Sequence, residues 1–245
     1  MKKVIVLFYG LAAYLLFLGS FIYFIGFLED AVVPRTMDSG LTQPTGRAVL
    51  IDILLLSVFA LQHSVMARPG FKRWWTRIIP AVIERSTYVL LSSLAVILIV
   101  WQWVPLTGLV WKSGNEVLTL ILFGISAMGW MIVLLSTLMI NHLELFGLKQ
   151  VYDNLVSRRS GPTPFTINIF YGIVRHPLML GFLIAFWSTP VMTEGHLLFA
   201  VVTTLYVCIA VKFLEERDLQ KIHGEQYAEY KRRVPMLIPF TKIKK

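Results

Sequence analysis

Two stretches of this 245-residue chain carry side chains suited to a ligand that bears both charges. Arg175-His176-Pro177 stands at the start of an apolar run, where proline is favoured in a helix's first turn and the free backbone N–H groups and helix dipole attract a carboxylate. Glu215 and Glu216 follow the next apolar run, at the same end of what reads as a helical hairpin. Such a site offers cations to an anion and carboxylates to a cation. A zwitterion such as S-adenosylmethionine, with its carboxylate, amine and sulfonium, matches that pairing. Each pair also has a plain structural reading: Arg175-His176 touching lipid phosphate, and Glu215-Glu216 as a solvated helix end.

A second set of polar residues lies at the ends of other apolar runs. Gln62 and His63 come near the close of one, and Asn141, His142 and Glu144 directly follow another. Polar groups at the edge of a membrane span are costly and tend to face a cavity. His142 reads either as a base or contact for a small acceptor, or as a structural bond to a carbonyl at a helix C-terminus; His63 is open to the same two readings. Asp52 reads as a snorkelling or interhelical hydrogen-bonding group, and His196 as the cap of the outer hairpin turn. The five histidines never stand three or four residues apart, so no helical metal site is expected. Dinucleotide, nucleoside-triphosphate, zincin and hydrolase signatures are absent. The single cysteine, Cys208, excludes an internal disulfide, a cysteine-based zinc site and an iron–sulfur cluster.

The elements that must position these residues are membrane helices. Hydrophobic residues make up 56% of the chain and charged residues 15%, against about 25% charge in ordinary globular chains; mean hydropathy is +0.69. The apolar residues come in blocks, which excludes a water-soluble, disordered or collagen-like chain. Spans are expected at 4–28, 48–66, 88–104 and 117–140, followed by a short run at 178–192 and another at 196–214. The first is too long for a signal-peptide core and lacks its cleavage site. The 178–192 run, closed by Pro190, suits a hairpin arm that does not fully cross. The fold class is therefore all-α, with five to six transmembrane helices. Residues 1–140 read as N-terminal transmembrane helices and 141–245 as a cofactor-binding region ending in a cytoplasmic tail. The tryptophans mostly flank spans, as an interfacial belt does.

The C-terminal pattern resembles a known family. Arg175-His176-Pro177 with Gly181, a hairpin, Glu215-Glu216 with Leu219, then Gly224, Tyr227, Tyr230 and Pro235 look like the isoprenylcysteine carboxyl methyltransferase superfamily, integral-membrane enzymes that use S-adenosylmethionine. The match covers residues 167–240. It departs where the family commonly has tyrosine two residues after the proline and this chain has Met179. Upstream, 61–68, 84–88 and 141–150 resemble one branch, the bacterial methanethiol S-methyltransferases. The resemblance implies methyl transfer from S-adenosylmethionine to a small thiol. Cofactor contacts would come from Tyr171, Arg175, His176, Pro177, Gly181, Glu215 and Glu216. Acceptor contacts would come from Asn141, His142, Glu144 and His63, and His142, Arg175 or His176 would help to generate the thiolate. Isoprenylcysteine carboxyl methylation uses the same cofactor pocket and is the nearest alternative; a non-catalytic membrane scaffold or carrier is the alternative from another class.

The net charge of +9 belongs to membrane lipid and not to nucleic acid, and no protein partner is inferable. Twenty of the 23 basic residues fall at the N-terminus, in 68–85, in 149–175 and from Lys212 onward, including Lys242, Lys244 and Lys245 near anionic lipid; three, Arg35, Arg47 and Lys112, fall in the alternate loops. Basic residues collect in cytoplasmic loops. Both termini, 67–87 and 141–174 are thus expected to face the cytoplasm, of a bacterial inner membrane if the resemblance holds. In a Cys208→Ser background, Arg158→Cys is expected to resist a membrane-impermeant maleimide in intact cells and react after permeabilisation; labelling of intact cells would reverse the topology.

Overall fold

A backbone in hydrocarbon must satisfy its N–H and C=O groups internally, and helices do so within each segment. The computed structural model describes residues 2–158 and 167–241, so the Lys242, Lys244 and Lys245 tail lies outside the described residues. Among the described residues five apolar helices are long enough to cross a membrane. They are α1 (Lys2–Leu28), α2 (Thr45–Ala67), α4 (Glu84–Gln102, preceded by a 3₁₀ turn Ala81–Ile83), α5 (Glu116–Ile140) and α10 (Glu194–Ala210), which runs on beyond its apolar part. Shorter helices are α3 (Pro69–Trp75), α6 (His142–Leu145), α7 (Leu148–Leu155), α8 (Ile169–Ile173) and α9 (Pro177–Trp187). Two short strands are β1 (Leu109–Lys112) and β2 (Val191–Thr193). With 11 residues, α9 rises about 16 Å, half the roughly 30 Å hydrocarbon thickness, so the hairpin arm does not cross.

The return arm differs from expectation at its end. The helix does not stop near residue 214: a π-helical turn, Val211–Glu215, leads directly into α11 (Glu216–Arg233). Gly224, at φ 56° and ψ −130°, kinks α11, a left-handed backbone that glycine adopts without a side-chain clash.

The chain divides into two compact units that are discontinuous in sequence: Met1–Val110, Asn141–Gly161 and Thr193–Val202 in the first; Trp111–Ile140, Pro162–Met192 and Thr203–Lys245 in the second. In the first unit α1 packs on α4 and α7, and α4 on α2. Trp103 is buried there between Phe27 and Phe199, so it belongs to the core and not to the interfacial belt. The C-terminal carbonyls of α4 have no helical partners. Arg35 donates to two of this segment's carbonyls, Nε to Val100 (2.8 Å) and Nη2 to Trp103 (3.0 Å), a cation where the helix dipole favours one. Buried Asp52 accepts the Val104 N–H at 2.9 Å, which places its carboxyl in an interhelical bond and not at the interface. At the start of α10 the cap is Thr193 and not His196: its Oγ1 accepts the His196 N–H and donates to Asp38.

In the second unit α5 packs on α9 through small residues. A Cβ on Gly129 would lie 2.6 Å from the Ala185 nitrogen, and one on Gly181 would lie 2.7 Å from the Gly129 carbonyl oxygen. Close backbone approach through small residues is how membrane helices pack without a hydrophobic driving force. Gly129→Ala is expected to force α5 from α9 at a cost of about 1–3 kcal/mol, read as a lower melting temperature in detergent. Gly124→Ala, on the same helix with nothing within 4 Å, should not lower it; equal melting temperatures for both variants would refute the close crossing.

Candidate functional site

In the second unit the sequence that follows α8 is extended, and the returning tail lies against it. Arg175 donates its N–H to the Pro235 carbonyl (2.9 Å) and His176 to that of Met236 (3.2 Å). Pro177 then occupies the first turn of α9, as its fixed φ and missing N–H favour. Val207, Val211 and Leu237, with Met179 and Leu183 against them, form the apolar floor.

Charged side chains close over this frame. Arg175 Nε donates to Glu216 Oε1 at 2.7 Å, its Nη2 pairs with the same oxygen, and Nη1 donates to the carbonyls of Val234 and, at 3.3 Å, Lys231. His176 Nε2 stands 3.4 Å from Glu216 Oε1, and Nδ1 stands 3.5 Å from Glu215 Oε2. Lys231 Nζ lies 3.3 Å from Glu216 Oε2. The Arg175 and Glu216 side chains are both 6% exposed, whereas Glu215 is 42% exposed. The expected cationic and acidic pairs are therefore brought together, and they bind each other. Glu216 is buried among cations and is no solvated helix end.

Tyr171 sits on α8, where its carbonyl accepts from Tyr230 Oη at 2.6 Å; burial, with the Glu215 charge adding, pushes its own phenol pKa up. Gly181 lies on α9 at the crossing with α5. Beside the ion cluster, Lys212, Glu216, Arg217, Gln220, Lys221 and Lys231 line an open cleft. Nothing in the sequence marks Lys231 among the basic residues of the tail. Among the described residues no group of three or more potential metal ligands occurs.

In the first unit the stretch from Asn141 forms a strapped turn. Asn141 has φ 142° and ψ 89°, a strained backbone for a residue other than glycine. Its Oδ1 caps α6 by accepting from the Glu144 N–H, and its Nδ2 donates to Glu144 Oε2, each at 3.2 Å. Lys149 Nζ pairs with Glu144 Oε2 at 2.7 Å, Gln150 Nε2 donates to the Glu144 carbonyl, and Arg85 Nε donates to that of Leu145 at 2.6 Å. Gly147, at φ 86°, lets the turn approach α4: a Cβ there would stand 2.8 Å from Ser86 N and Oγ. The strap presents His142, whose Nε2 is 2.9 Å from Tyr14 Oη and whose ring is 4.7 Å from Phe146. His63 lies on α2 in its own network, with Tyr88 Oη 2.9 Å from Nε2 and Ser92 Oγ 3.3 Å from Nδ1. Tyr14 carries no signal in the sequence beyond being one aromatic in an apolar run.

The two site histidines hold protons differently. Burial pulls His176 down, but hydrogen bonds to Glu215 and Glu216 and their charges outweigh it and push the imidazole up to about 9. Burial alone lowers His142, so its imidazole is neutral at pH 7. Since the folded pKa of His176 lies above the unfolded value of about 6.5, its ion pairs stabilise fully below that value and are lost as pH rises through about 9. The wild-type melting temperature is expected to fall over that window, and to fall less for His176→Gln; parallel curves for both proteins would count against the paired imidazolium.

The family model described as NnrU protein matches residues 51–238. The chain is 51% identical over 240 residues to a methanethiol S-methyltransferase of Mycobacterium tuberculosis, covering 98% of each chain. It is 50% identical to one of Crocosphaera subtropica, covering 98% of this chain and 94% of that one. Nurim of Mus musculus is 27% identical over 238 residues, covering 88% of this chain and 90% of its own. No solved structure matches.

Proposed function

The chain belongs to the NnrU protein family and matches methanethiol S-methyltransferases over nearly its whole length, and on that premise we propose that it methylates a small thiol, methanethiol, from S-adenosylmethionine, releasing dimethyl sulfide. The observation that carries this reading is half-identity to those relatives over 98% of the chain, a span that takes in both polar clusters. Prenylcysteine carboxyl methylation has no comparable support, and a scaffold has no need of buried charge at the hairpin.

The donor set around Glu216 fits a zwitterion. Glu216 lines the cleft with Lys212, Arg217, Lys221 and Lys231, and Glu215 meets the same His176 that Glu216 does, so cationic and anionic groups of one ligand both find partners. Glu215 is the exposed carboxylate for the amine and sulfonium, while Arg175, His176 and Glu216 hold the cluster's shape from beneath; Tyr171, Pro177 and Gly181 set the course of the segment that carries them. When bound, S-adenosylmethionine supplies a methyl group on a positively charged sulfonium, open to in-line attack by a thiolate.

The chain's own contribution to the acceptor is proton removal and positioning. A protein thiol has a pKa of about 8.5 and a small alkyl thiol is less acidic, so thiolate is scarce at pH 7. His142, neutral through burial, takes the thiol proton, and Asn141 and Glu144 fix the turn that carries it. An apolar thiol partitions into lipid, which accounts for a membrane enzyme acting on so small a molecule. The site faces the cytoplasm, with both termini on that side of a bacterial inner membrane.

Purified protein with labelled S-adenosylmethionine and a panel of thiols and prenylcysteines tests the assignment: dimethyl sulfide from methanethiol is expected, and methylation of farnesylcysteine without methanethiol would overturn it. His142→Ala is expected to keep cofactor affinity and lose about a hundredfold in rate near pH 7, within the range for one general base. Its rate should recover partly as pH rises and solution supplies thiolate. A merely structural His142 predicts a lower melting temperature and equal loss at every pH.

A further inference from the structure

The His142 imidazole is held from outside its own strap. Tyr14, halfway along α1, places its hydroxyl 2.9 Å from Nε2, and the two rings meet edge to face at 5.8 Å. On the other side Phe146 lies against the imidazole and stacks on Phe17 at 4.0 Å, one turn along α1 from Tyr14. The ring is therefore fixed between α1 and the strap. The hydrogen bond at one ring nitrogen decides which tautomer a neutral histidine adopts.

We propose that Tyr14 is a positioning residue for methyl transfer, holding the His142 imidazole through Nε2 in the orientation and tautomer that take the thiol proton. The proposal rests on the reading of His142 as the base. A phenol both donates and accepts, so Tyr14 serves the neutral ring and also accepts from Nε2–H once the ring is protonated. A hydrogen bond to a charged partner is the stronger kind, so the same hydroxyl favours the imidazolium that forms when the thiol gives up its proton. The strained Asn141 backbone beside His142 agrees with this, because such a conformation persists only where the surroundings over-determine it. The charged groups on the surrounding elements are otherwise committed: Arg85 on α4 to the Leu145 carbonyl, Glu144 on α6 and Lys149 on α7 to each other, while Asp153 on α7 is buried. Tyr14 is thus a hydrogen-bonding group at the imidazole nitrogen that a conservative substitution can remove without touching the strap.

The test is a set of four proteins, wild type, Tyr14→Phe, His142→Ala and the double variant, assayed for dimethyl sulfide release against pH with melting temperatures alongside. Tyr14→Phe is expected to keep the KM for S-adenosylmethionine and lose about tenfold in kcat near pH 7. Its acidic limb should move to lower pH, because the imidazolium has lost an acceptor. Added to His142→Ala, the same change should have no further effect on rate. A Tyr14→Phe profile that is uniformly lowered, or unaltered, while His142→Ala shows its pH-dependent loss would overturn the role of Tyr14 alone. So would an equal loss in the presence and absence of His142. A His142→Ala profile identical to wild type would remove the base, and Tyr14's role with it.

Discussion

Helices whose outer faces meet hydrocarbon keep their polar side chains at their ends or turned inward, and the placement of chemistry in this protein follows from that constraint. Along the five long helices, residues such as Phe8, Leu15, Leu61, Leu120 and Leu205 are exposed and would be a liability in water; lipid is their solvent. Backbone groups inside each span are satisfied by the helix itself. Those at the ends need other partners, and the structure gives them polar side chains: Arg35 on the last carbonyls of α4, Asp52 on the N–H beyond them, Asn141 at the start of α6, and Arg175 on the carbonyls at the end of α11. Capping and site-building are in this sense one task, because the groups that end the helices also form the polar clusters.

Burial makes those clusters selective about their composition. A lone buried Glu216 would be costly, whereas Arg175, His176 and Lys231 together give it a full set of donors. The arrangement joins three segments distant in sequence: the turn before α9, the start of α11 and its last turn. Removing one partner leaves the others buried and uncompensated, so Glu216→Gln is a perturbation of the fold as well as of charge. The exposed Glu215 is the cleaner probe of ligand contact. The π-helical turn that ends at Glu215 adds one residue to the helical repeat and so rotates Glu216 away from the face that α10 would otherwise give it; such turns recur at functional positions.

What the sequence reveals here is what short-range physics determines. Hydropathy locates the spans within a few residues, since the bilayer sets their length, and Pro177 marks the first turn of α9 because its ring excludes it from later positions. The pairing of Arg175-His176 with Glu215-Glu216 is visible as opposite charges at the two mouths of a hairpin. Their burial and mutual satisfaction are not, because these depend on the tail folding back through Pro235 and Met236. Lys231 and Tyr14 are silent for the same reason: one is a lysine among many, the other an aromatic in an apolar run, and only tertiary contact gives either a role. The division into two units that each draw on three separated stretches of chain leaves no compositional trace, because both units mix apolar helices with polar segments.

The two histidines show how environment divides one residue type into two tasks. Where titratable groups are pushed in opposite directions, the direction indicates the role. His176 is buried between carboxylates, and these more than offset its desolvation, so it carries a proton through the neutral range and acts as a cation. An imidazole with its proton already in place cannot accept one from a thiol. His142 is desolvated with a phenol and not a carboxylate at its Nε2, and its pKa is driven below the ordinary value. It is neutral where thiols are mostly protonated, the state a base requires, and a depressed pKa limits how strong a base it is. A hydroxyl at Nε2 can restore part of that strength by accepting from the imidazolium without holding a permanent proton on the ring as a carboxylate would. A tyrosine at this position therefore suits the base proposed for His142, whereas an aspartate in its place would turn it into a second His176.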